Sequence, residues 1–249
     1  MSSKKRILII GATSGMAEAV ARLYAAHASH FCLVGRDVQK QEIVAADLRA
    51  RGAEQVHVRP WDAADNLDIA RVVALAWDRL EVVDLALIAH GSLPDQEAAE
   101  SDIAYAVEQM RVNGESAVVC MLAIAPYLEK QGDGTLAVIG SVAGDRGRAS
   151  NYVYGSAKAA VATCASGLRV RLARSGARLL LVKPGFVATA MTAHLNLPAR
   201  LTASPDRVAA DIARAVAKRK SNLYTPWFWW PIMFVIRALP GILFNKMKL

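Results

Sequence analysis

The segment Arg6-Ile-Leu-Ile-Ile10-Gly11-Ala-Thr-Ser-Gly15-Met-Ala17 joins a short apolar run to a glycine-containing turn. The run predicts a buried strand over residues 6–10, and the alanine-rich residues 17–27 predict a helix. Glycines let the backbone turn sharply and approach a pyrophosphate, which the positive end of the helix attracts. The order therefore predicts a dinucleotide-binding turn, although the spacing Gly11-x-x-x-Gly15-x-Ala17 departs from GxGxxG and also suits a plain strand-to-helix turn.

Strand-like and helix-like segments alternate along the rest of the 249 residues. Apolar runs predict strands over 30–34, 55–59, 82–89, 136–141 and 178–183. Helices are predicted over 38–50, 66–80, 103–129 and 205–220, with one more that carries Tyr154 and ends near 175. Without an internal repeat or a break in composition, the alternation predicts an α/β fold, in which a single doubly wound Rossmann domain with a parallel sheet covers 1–222.

Composition and charge narrow the class of function. The net charge of +8 suits an anionic cofactor, an anionic substrate or an acidic membrane surface. No basic helix with base-reading side chains is present in the sequence, so nucleic-acid binding is not expected. The three cysteines lack the clustered spacing of a disulfide framework or a zinc site, so we expect no metal and a reducing compartment. The basic start precedes too short an apolar run for a signal peptide, so a cytoplasmic location is predicted.

Tyr154-Gly-Ser-Ala-Lys158 follows the strand that ends at Ser141. On a helix, the four-residue spacing puts Tyr154 and Lys158 on one face, one turn apart. A nearby ammonium favours the phenolate and lowers the pKa of the tyrosine, so Tyr154 would exchange a proton with a carbonyl or hydroxyl oxygen, which Ser141 would also hold. Taken alone, such a pair is more often a solvated surface pair.

The end of the second predicted strand, Gly35-Arg36-Asp37, would meet the adenosine ribose of a dinucleotide. A guanidinium at Arg36 suits the 2′-phosphate of NADP, whereas an acidic residue would favour NAD. A surface ion pair between Arg36 and Asp37 is the alternative. Asp62, just past the third strand, would accept a hydrogen bond from the adenine amino group, or would cap a helix instead.

Other candidate residues follow the later strands. Pro184-Gly-Phe-Val-Ala-Thr189 ends the sixth strand on the edge where such sheets bind ligands. A mobile lid over the substrate is predicted at about 190–205. Asn113 lies in the middle of a predicted helix, where it is either functional or a satisfied core group. His90 follows the fourth strand and is more often structural than catalytic.

Together these residues resemble the short-chain dehydrogenase/reductase family over essentially 5–225. The glycine turn, Pro184-Gly185 and Thr189 match its cofactor segments, and Asn113, Ser141, Tyr154 and Lys158 match its catalytic tetrad. The resemblance implies that Tyr154 is the acid or base, that Lys158 lowers its pKa and binds the nicotinamide ribose, that Ser141 positions the carbonyl, and that Asn113 holds a relay water. It implies cofactor contacts at Gly11, Thr13, Ser14, Gly15, Met16, Arg36, Asp62, Ala89, Gly91, Tyr154, Lys158, Pro184, Gly185, Val187 and Thr189.

The resemblance also implies a homodimer or homotetramer, and it has one clear departure. The Asn-Asn-Ala-Gly of the family is Ile88-Ala-His-Gly91 here. The lost asparagine normally braces the central sheet, so another group must satisfy the same backbone positions.

A closer resemblance covers five segments: Gly144-Asp-Arg-Gly-Arg148, Val153-Tyr-Gly-Ser-Ala-Lys158, Lys183-Pro-Gly185, Met191-Thr-Ala-His-Leu195 and the apolar tail that ends in Lys248-Leu249. These segments are similar to the decaprenylphosphoryl keto-ribose reductases, which reduce a 2-keto sugar on a polyprenyl phosphate that a flavin oxidase has made. The resemblance implies NADPH as cofactor, a lipid-linked ketone as substrate and a functional pairing with a flavin oxidase. Reduction of a 3-keto lipid, such as a 3-oxoacyl or keto-sphingoid compound, is the same-class alternative. A catalytically inactive NADP-binding regulator or scaffold is the alternative from another class.

The tail, residues 223–249, is strongly apolar. From Leu223 to Phe244 its only charge is Arg237, and three tryptophans cluster near its start. Pro231, Pro240 and Gly241 interrupt the apolar run, which argues against a spanning helix. Tryptophans beside Lys218, Arg219 and Lys220, with Lys246 and Lys248 at the other end, predict a peripheral anchor at the inner face of the cell membrane. Burial in a dimer or over the substrate pocket is the alternative.

Overall fold

The computed structural model describes residues 4–65 and 68–246. Nine strands occur in this part of the chain: β1 (Arg6–Ile10), β2 (His30–Gly35), β3 (Gln55–Pro60), β4 (Leu85–Ile88), β5 (Thr135–Ile139), β6 (Arg178–Pro184), β7 (Phe186–Val187), β8 (Thr202–Ala203) and β9 (Asn222–Thr225). Seven of them form one sheet in the order β3-β2-β1-β4-β5-β6-β9, and every neighbouring pair is parallel. The short strands β7 and β8 pair separately.

Helices lie on both faces of the sheet and connect the strands. They are α1 (Gly15–Ala25), α2 (Val38–Ala50), α3 (Ile69–Leu80), α4 (Gln96–Ser101), α5 (Ile103–Met110), α6 (Ser116–Gln131), α7 (Tyr152–Ala173), α8 (Pro205–Ala217), α9 (Trp229–Ala238) and α10 (Gly241–Phe244). The predicted α/β class with a single doubly wound sheet is confirmed.

Both faces of the sheet are buried, which explains why its strands are continuous apolar runs. In β1, Ile7 and Ile9 belong to the core on one face, with α1 and α8. Leu8 and Ile10 belong to the core on the other face, with α3, α6 and α7. A sheet enclosed in this way holds the carboxyl ends of its strands in fixed positions.

The strand order reverses at β1, which pairs with β2 on one side and β4 on the other. Ile10 lies opposite Val34 and Ile88, so the three strands end at the same level. Ala89 continues the ladder by donating its backbone N–H to the Ile10 carbonyl at 2.8 Å. Ligands of such sheets bind in the crevice where the order reverses, so these chain ends locate the site.

Three boundaries differ from the sequence-based expectation. The helix predicted over 103–129 is divided into α5 and α6 by a π-helical turn, Arg111–Glu115. The helix predicted from Asn66 begins at Ile69, after Asp68, and Asn66 itself lies outside the described residues. The lid region holds the 3₁₀ turns Ala190–Thr192 and Ala199–Leu201 and ends in β8, while its mobility stays a prediction.

The start of the tail differs as well. Strand β9 pairs with β6 from Leu181↔Asn222 to Pro184↔Thr225, so the sheet continues three residues past the predicted domain boundary at 222. The helices α9 and α10 then follow, and Lys248 lies outside the described residues. Within residues 4–65 and 68–246, no helix combines the length and apolar character needed to cross a membrane.

Candidate active site

Tyr154 and Ser141 meet where α7 begins. The helix starts two residues before Tyr154, and its first turns pack tightly on the loop after β5, because a side chain at Gly155 would lie 2.9 Å from the Ala143 carbonyl oxygen. Ser141 caps that loop by accepting a hydrogen bond from the Ala143 N–H at 3.1 Å. Its hydroxyl also hydrogen-bonds the phenol of Tyr154. The hydroxyl groups of Ser141 and Tyr154 therefore lie side by side.

Lys158 lies one turn further along α7, and only 3% of its surface is exposed. Its Nζ is 5.7 Å from the centre of the Tyr154 ring and 3.4 Å from the Ile139 carbonyl oxygen, which accepts its hydrogen bond. Burial lowers the pKa of Lys158 to about 8. This pKa is close enough to neutral pH that the ammonium loses its proton under mildly alkaline conditions.

The expected lowering of the Tyr154 pKa by Lys158 is not what the structure shows. Burial raises the pKa of Tyr154 to about 12, and only the hydrogen bond from Ser141 opposes that shift. Two features account for the difference. The Lys158 ammonium lies over the ring of Tyr154, and its own burial weakens its hold on the proton. Tyr154 is consequently a neutral phenol at physiological pH, which is the form that donates a proton.

Asn113 lies in the π-helical turn, a geometry frequent at functional sites, and is almost fully buried. Its Nδ2 donates to the Gln109 carbonyl and the Ser92 Oγ, each at 3.1 Å, while its Oδ1 accepts from the Ser92 N–H at 2.9 Å. The side chain thus braces the segment that follows β4. The relay water implied by the resemblance stays a prediction, since both amide hydrogens of the side chain are engaged.

Gly91 connects Asn113 to Lys158. Its φ of +152° is one that side chains rarely adopt, and a Cβ there would lie 2.9 Å from Asn113 Oδ1 and 3.6 Å from Lys158 Nζ. The three residues therefore enclose a space that only glycine leaves open. The structure brings all four tetrad residues to the carboxyl edge of β4 and β5.

His90, in the segment that departs from the family sequence, contacts the start of α6. Its Nε2 is 2.7 Å from Ser116 Oγ, and the Ser116 hydroxyl donates to the Val112 carbonyl at 2.7 Å. Since the serine proton is used there, the imidazole donates from Nε2. Burial and the nearby Lys158 charge lower the pKa of His90 to about 3, so the ring stays neutral. His90 ties the end of β4 to the start of α6, and the structure gives it no acid–base role.

The glycine turn lies directly against the ends of two other strands. Gly11 has a φ of +84°, and a side chain there would lie 2.4 Å from the backbone nitrogen of His90. A side chain at Gly15 would contact the Thr189 methyl group at 3.6 Å. Ser14 precedes α1 in extended conformation, and its side chain makes no cap hydrogen bond. Thr13 is exposed beside it, whereas Met16 packs on the core.

Arg36 is exposed and forms no ion pair with any residue of the described chain. The alternative pairing with Asp37 is wrong, because Asp37 accepts the Lys40 backbone N–H at 3.0 Å and lies 3.5 Å from its ammonium. Asp62 accepts the Ala64 N–H at 3.0 Å and thereby caps a tight turn, while Asp68 is the residue that precedes α3. Arg36 is thus free to bind an anion at the tip of β2.

The segment after β6 is covered by the tail. A side chain at Gly185 would lie 1.9 Å from the indole of Trp229, so the ring rests on the glycine backbone. Pro184 is buried beneath, Val187 is buried in β7, and Thr189 caps the 3₁₀ turn that follows. The indole of Trp229 is buried with Val142, the neighbour of Ser141, and with Met233.

Sequence reasoning missed the network that holds the tail in place. Asp145, whose side chain is 3% exposed, forms an ion pair with Lys183 and accepts a hydrogen bond from Tyr224 at 2.6 Å. Arg146 donates to the Ile236 and Leu239 carbonyls at 2.5 and 2.7 Å, at the end of α9. Both residues belong to the Gly144-Asp-Arg-Gly-Arg148 loop, which only the closer resemblance had singled out.

Trp229 is a buried aromatic side chain beside the catalytic groups. It is 5% exposed, and its Nε1 has no hydrogen-bond partner within the part of the chain that the structure describes. A buried N–H without a partner is costly, so such groups usually meet a ligand or water. Together with Val142 and Phe186 it forms an apolar wall beside the catalytic groups.

A nicotinamide dinucleotide fits these residues. The glycine turn presents backbone N–H groups at the start of α1, and Arg36 is unpaired at the tip of β2. The space at Gly91 that a Cβ would fill opens toward Asn113 and Lys158. These groups follow one another along the carboxyl edge of the sheet, where dinucleotides bind in sheets of this kind.

Comparison with known sequences gives consistent matches. A family model described as short chain dehydrogenase matches residues 5–199. An uncharacterized oxidoreductase of Mycobacterium tuberculosis is 38% identical over 241 residues, which cover 97% of this chain and 96% of the relative. An uncharacterized oxidoreductase of Streptomyces coelicolor is 34% identical over 248 residues, which cover 98% and 96%.

Solved structures share the fold at low identity. A short chain dehydrogenase from Burkholderia cenocepacia in complex with NADP has a TM-score of 0.83 and 18% identity, covering 98% of this chain and 97% of its own. A variant of the actinorhodin polyketide ketoreductase with NADPH has a TM-score of 0.79 and 20% identity, covering 90% and 97%.

Proposed function

Since the chain belongs to the short-chain dehydrogenase family, we propose that it uses NADPH to reduce a ketone to a secondary alcohol. The observation that carries this proposal is the meeting of Ser141, Tyr154 and Lys158 at the carboxyl edge of the sheet, beside the glycine turn. A reduced nicotinamide, when bound, supplies the hydride for the carbonyl carbon.

The protein residues supply the proton and hold the carbonyl oxygen. Tyr154 donates its phenolic proton to that oxygen, and it carries the proton at neutral pH because burial raises its pKa to about 12. Ser141 already hydrogen-bonds the phenol, so its hydroxyl is in place to hold the same oxygen. Below pH 8 the Lys158 cation lies beside this site, where it stabilises the negative charge that develops on the carbonyl oxygen.

The preference for NADPH over NADH is assigned to Arg36. The 2′-phosphate carries the charge that the unpaired guanidinium binds, and charge-assisted contacts of this kind are among the strongest hydrogen bonds. An acidic residue at the tip of β2 would instead bind the ribose hydroxyls of NADH, and Asp37 is already occupied by Lys40.

The proposed substrate is a keto sugar on a polyprenyl phosphate. The resemblance of the Gly144-Asp-Arg-Gly-Arg148 loop to keto-ribose reductases supports it, and in this structure that loop anchors the tail. Val142, Phe186 and Trp229 provide apolar surface for the lipid side of the substrate, and the unpartnered Trp229 Nε1 provides a donor for the sugar. The 2-keto group must come from oxidation of a secondary alcohol, the reaction of a flavin oxidase.

A 3-keto lipid is the second candidate, because the same apolar wall suits an acyl chain. NADPH oxidation in detergent micelles separates the two candidates. We expect turnover with a polyprenyl-phosphoryl keto-ribose, little with a 3-oxoacyl substrate, and about a thousandfold loss in Tyr154→Phe. Equal rates for both ketones would reject the sugar assignment. Turnover that persists in Tyr154→Phe would reject the proposed proton donor.

A further inference from the structure

A strongly cationic surface of the described chain lies between α8, β9 and the start of the tail. Two adjoining cavities of ≈ 230 and ≈ 470 Å³ open there and share Lys220, Leu223, Tyr224 and Trp227. We call this surface the basic trough. Its lining contains a single carboxylate, Asp211, and six cationic side chains: Lys183, Arg207, Arg214, Lys218, Lys220 and Arg237.

The trough has a surplus of positive charge that nothing in the described chain neutralises. Asp211 forms ion pairs with both Arg207 and Arg214, and the buried Asp145 forms an ion pair with Lys183. Lys218 and Lys220 are exposed and form no ion pair with any described residue. A concave surface lined by one sign of charge attracts anions.

Aromatic side chains form the rim of the trough. Trp227 is 70% exposed and lines both cavities, and Trp230 is 59% exposed beside it. Trp230 stacks on Phe234, which is exposed on the same side of α9. The opposite side of α9 is buried through Trp229 and Met233, so the helix lies flat on the protein with its second apolar face outward. Tryptophan next to lysine and arginine is the composition of proteins that bind the membrane interface.

From this arrangement we infer that the basic trough and its tryptophan rim bind the surface of a bilayer that contains anionic phospholipids. The cations meet headgroup phosphates, while Trp227, Trp230 and Phe234 enter the boundary between headgroups and acyl chains. A second copy of this chain is a poorer occupant, because a two-fold contact would bring two identical cationic surfaces together.

Docking in this way orients the active site toward the membrane. Lys183 lines the trough and immediately precedes Pro184 and Gly185, on which the Trp229 ring rests. The Lys183 end of the trough therefore lies at the carboxyl edge of the sheet, where the catalytic groups also lie. A ketone carried by a membrane lipid would reach Tyr154 without leaving the interface.

Co-sedimentation of the full chain with vesicles tests the inference. We expect strong binding to vesicles of one part phosphatidylglycerol to two parts phosphatidylcholine, and weak binding to phosphatidylcholine alone. Lys218→Glu/Lys220→Glu should weaken binding to the anionic vesicles at least about 30-fold, since each cation near the surface contributes about fivefold. Added salt should weaken it as well.

A matched control places the same charge change elsewhere. Lys130→Glu/Arg174→Glu reverses two exposed cations at the ends of α6 and α7, which do not line the trough, and should leave vesicle binding intact. Trp227→Ala/Trp230→Ala should weaken binding while preserving the preference for phosphatidylglycerol.

Three outcomes would overturn the inference. They are equal binding to both kinds of vesicle, equal loss in the control variant, and a Lys218→Glu/Lys220→Glu protein that changes molar mass in light scattering while binding vesicles normally. The last outcome would assign the surface to a second copy of the chain. The assay needs neither NADPH nor a ketone, so its result is independent of the proposed reaction.

Discussion

The glycine turn and the tail both border the active site, but they are specified in different ways. The turn depends on neighbours in sequence, since Gly11 directly follows β1 and Gly15 begins α1. The tail depends on residues far away in the chain, because Asp145, Arg146 and Gly185 hold β9 and α9 in place. The cofactor half can therefore be recognised from a motif, whereas the substrate half requires the folded structure.

Asp145→Asn acts on the substrate half and should have the largest effect. The change leaves Lys183 without its buried partner and weakens the hydrogen bond from Tyr224. Breaking a buried ion pair costs about 3 kcal/mol, so the free energy of unfolding should fall by about that amount. Urea unfolding followed by circular dichroism measures it. Tyr224→Phe, which removes one hydrogen bond only, should cost about 1 kcal/mol, and an equal loss in both variants would contradict the ion-pair assignment.

Arg36→Ala should affect the cofactor half alone. Loss of the guanidinium should raise the Kd for NADPH about 30-fold, because a hydrogen bond to a charged group is worth about 2 kcal/mol. The Kd for NADH should stay nearly constant, since NADH lacks the 2′-phosphate. Fluorescence titration with each cofactor gives both values. Equal weakening of the two would show that Arg36 does not bind the 2′-phosphate.

The pH profile should reveal the buried Lys158. Its pKa is lowered to about 8, so the cation is present below that pH and is lost above it. Ketone reduction should therefore be constant from pH 6 to 7 and fall about tenfold per unit well above pH 8. Steady-state rates at saturating NADPH measure the profile. A rate that stays constant to pH 9.5 would mean that the Lys158 charge does not assist proton transfer.

Trp229→Phe should have the smallest effect and should distinguish the two halves. Phenylalanine keeps the packing on Phe186 and loses the unpartnered N–H. The KM for the ketone should rise about fivefold, the value of one neutral hydrogen bond, while kcat changes little. The KM for NADPH is the internal control. A rise in the KM for NADPH alone would place the indole on the cofactor rather than the substrate.

The strands and the placement of Tyr154 and Lys158 were predictable from the sequence because each has a local signature. Apolar runs mark β1 to β6, and the spacing of Tyr154 and Lys158 places them on one helix face. The doubly wound class then follows from the alternation of strands and helices, since parallel strands require crossover connections. The family is likewise recognisable from local motifs, the glycine turn and the spacing of Tyr154 and Lys158.

Other features have no local signature. The π-helical turn at Asn113 arises from packing, because Gly114 lets the turn approach Ala157 closely. Strand β9 is short and half exposed, so its pattern does not indicate a strand. The high pKa of Tyr154 results from burial by groups that the spacing to Lys158 does not reveal. The contact between Trp229 and Gly185 joins segments that meet only in the folded chain.

Transfer of deuterium tests the central claim of a ketone reductase most directly. The full chain would be incubated in detergent micelles with a polyprenyl-phosphoryl keto-ribose and NADPH deuterated at the reactive carbon of the nicotinamide, and the product analysed by mass spectrometry. The account predicts one deuterium on the new carbinol carbon with the wild-type protein and about a thousandfold less deuterated alcohol with Tyr154→Phe. A wild-type protein that binds NADPH and yields no deuterated alcohol from this ketone or from a 3-keto lipid would contradict it.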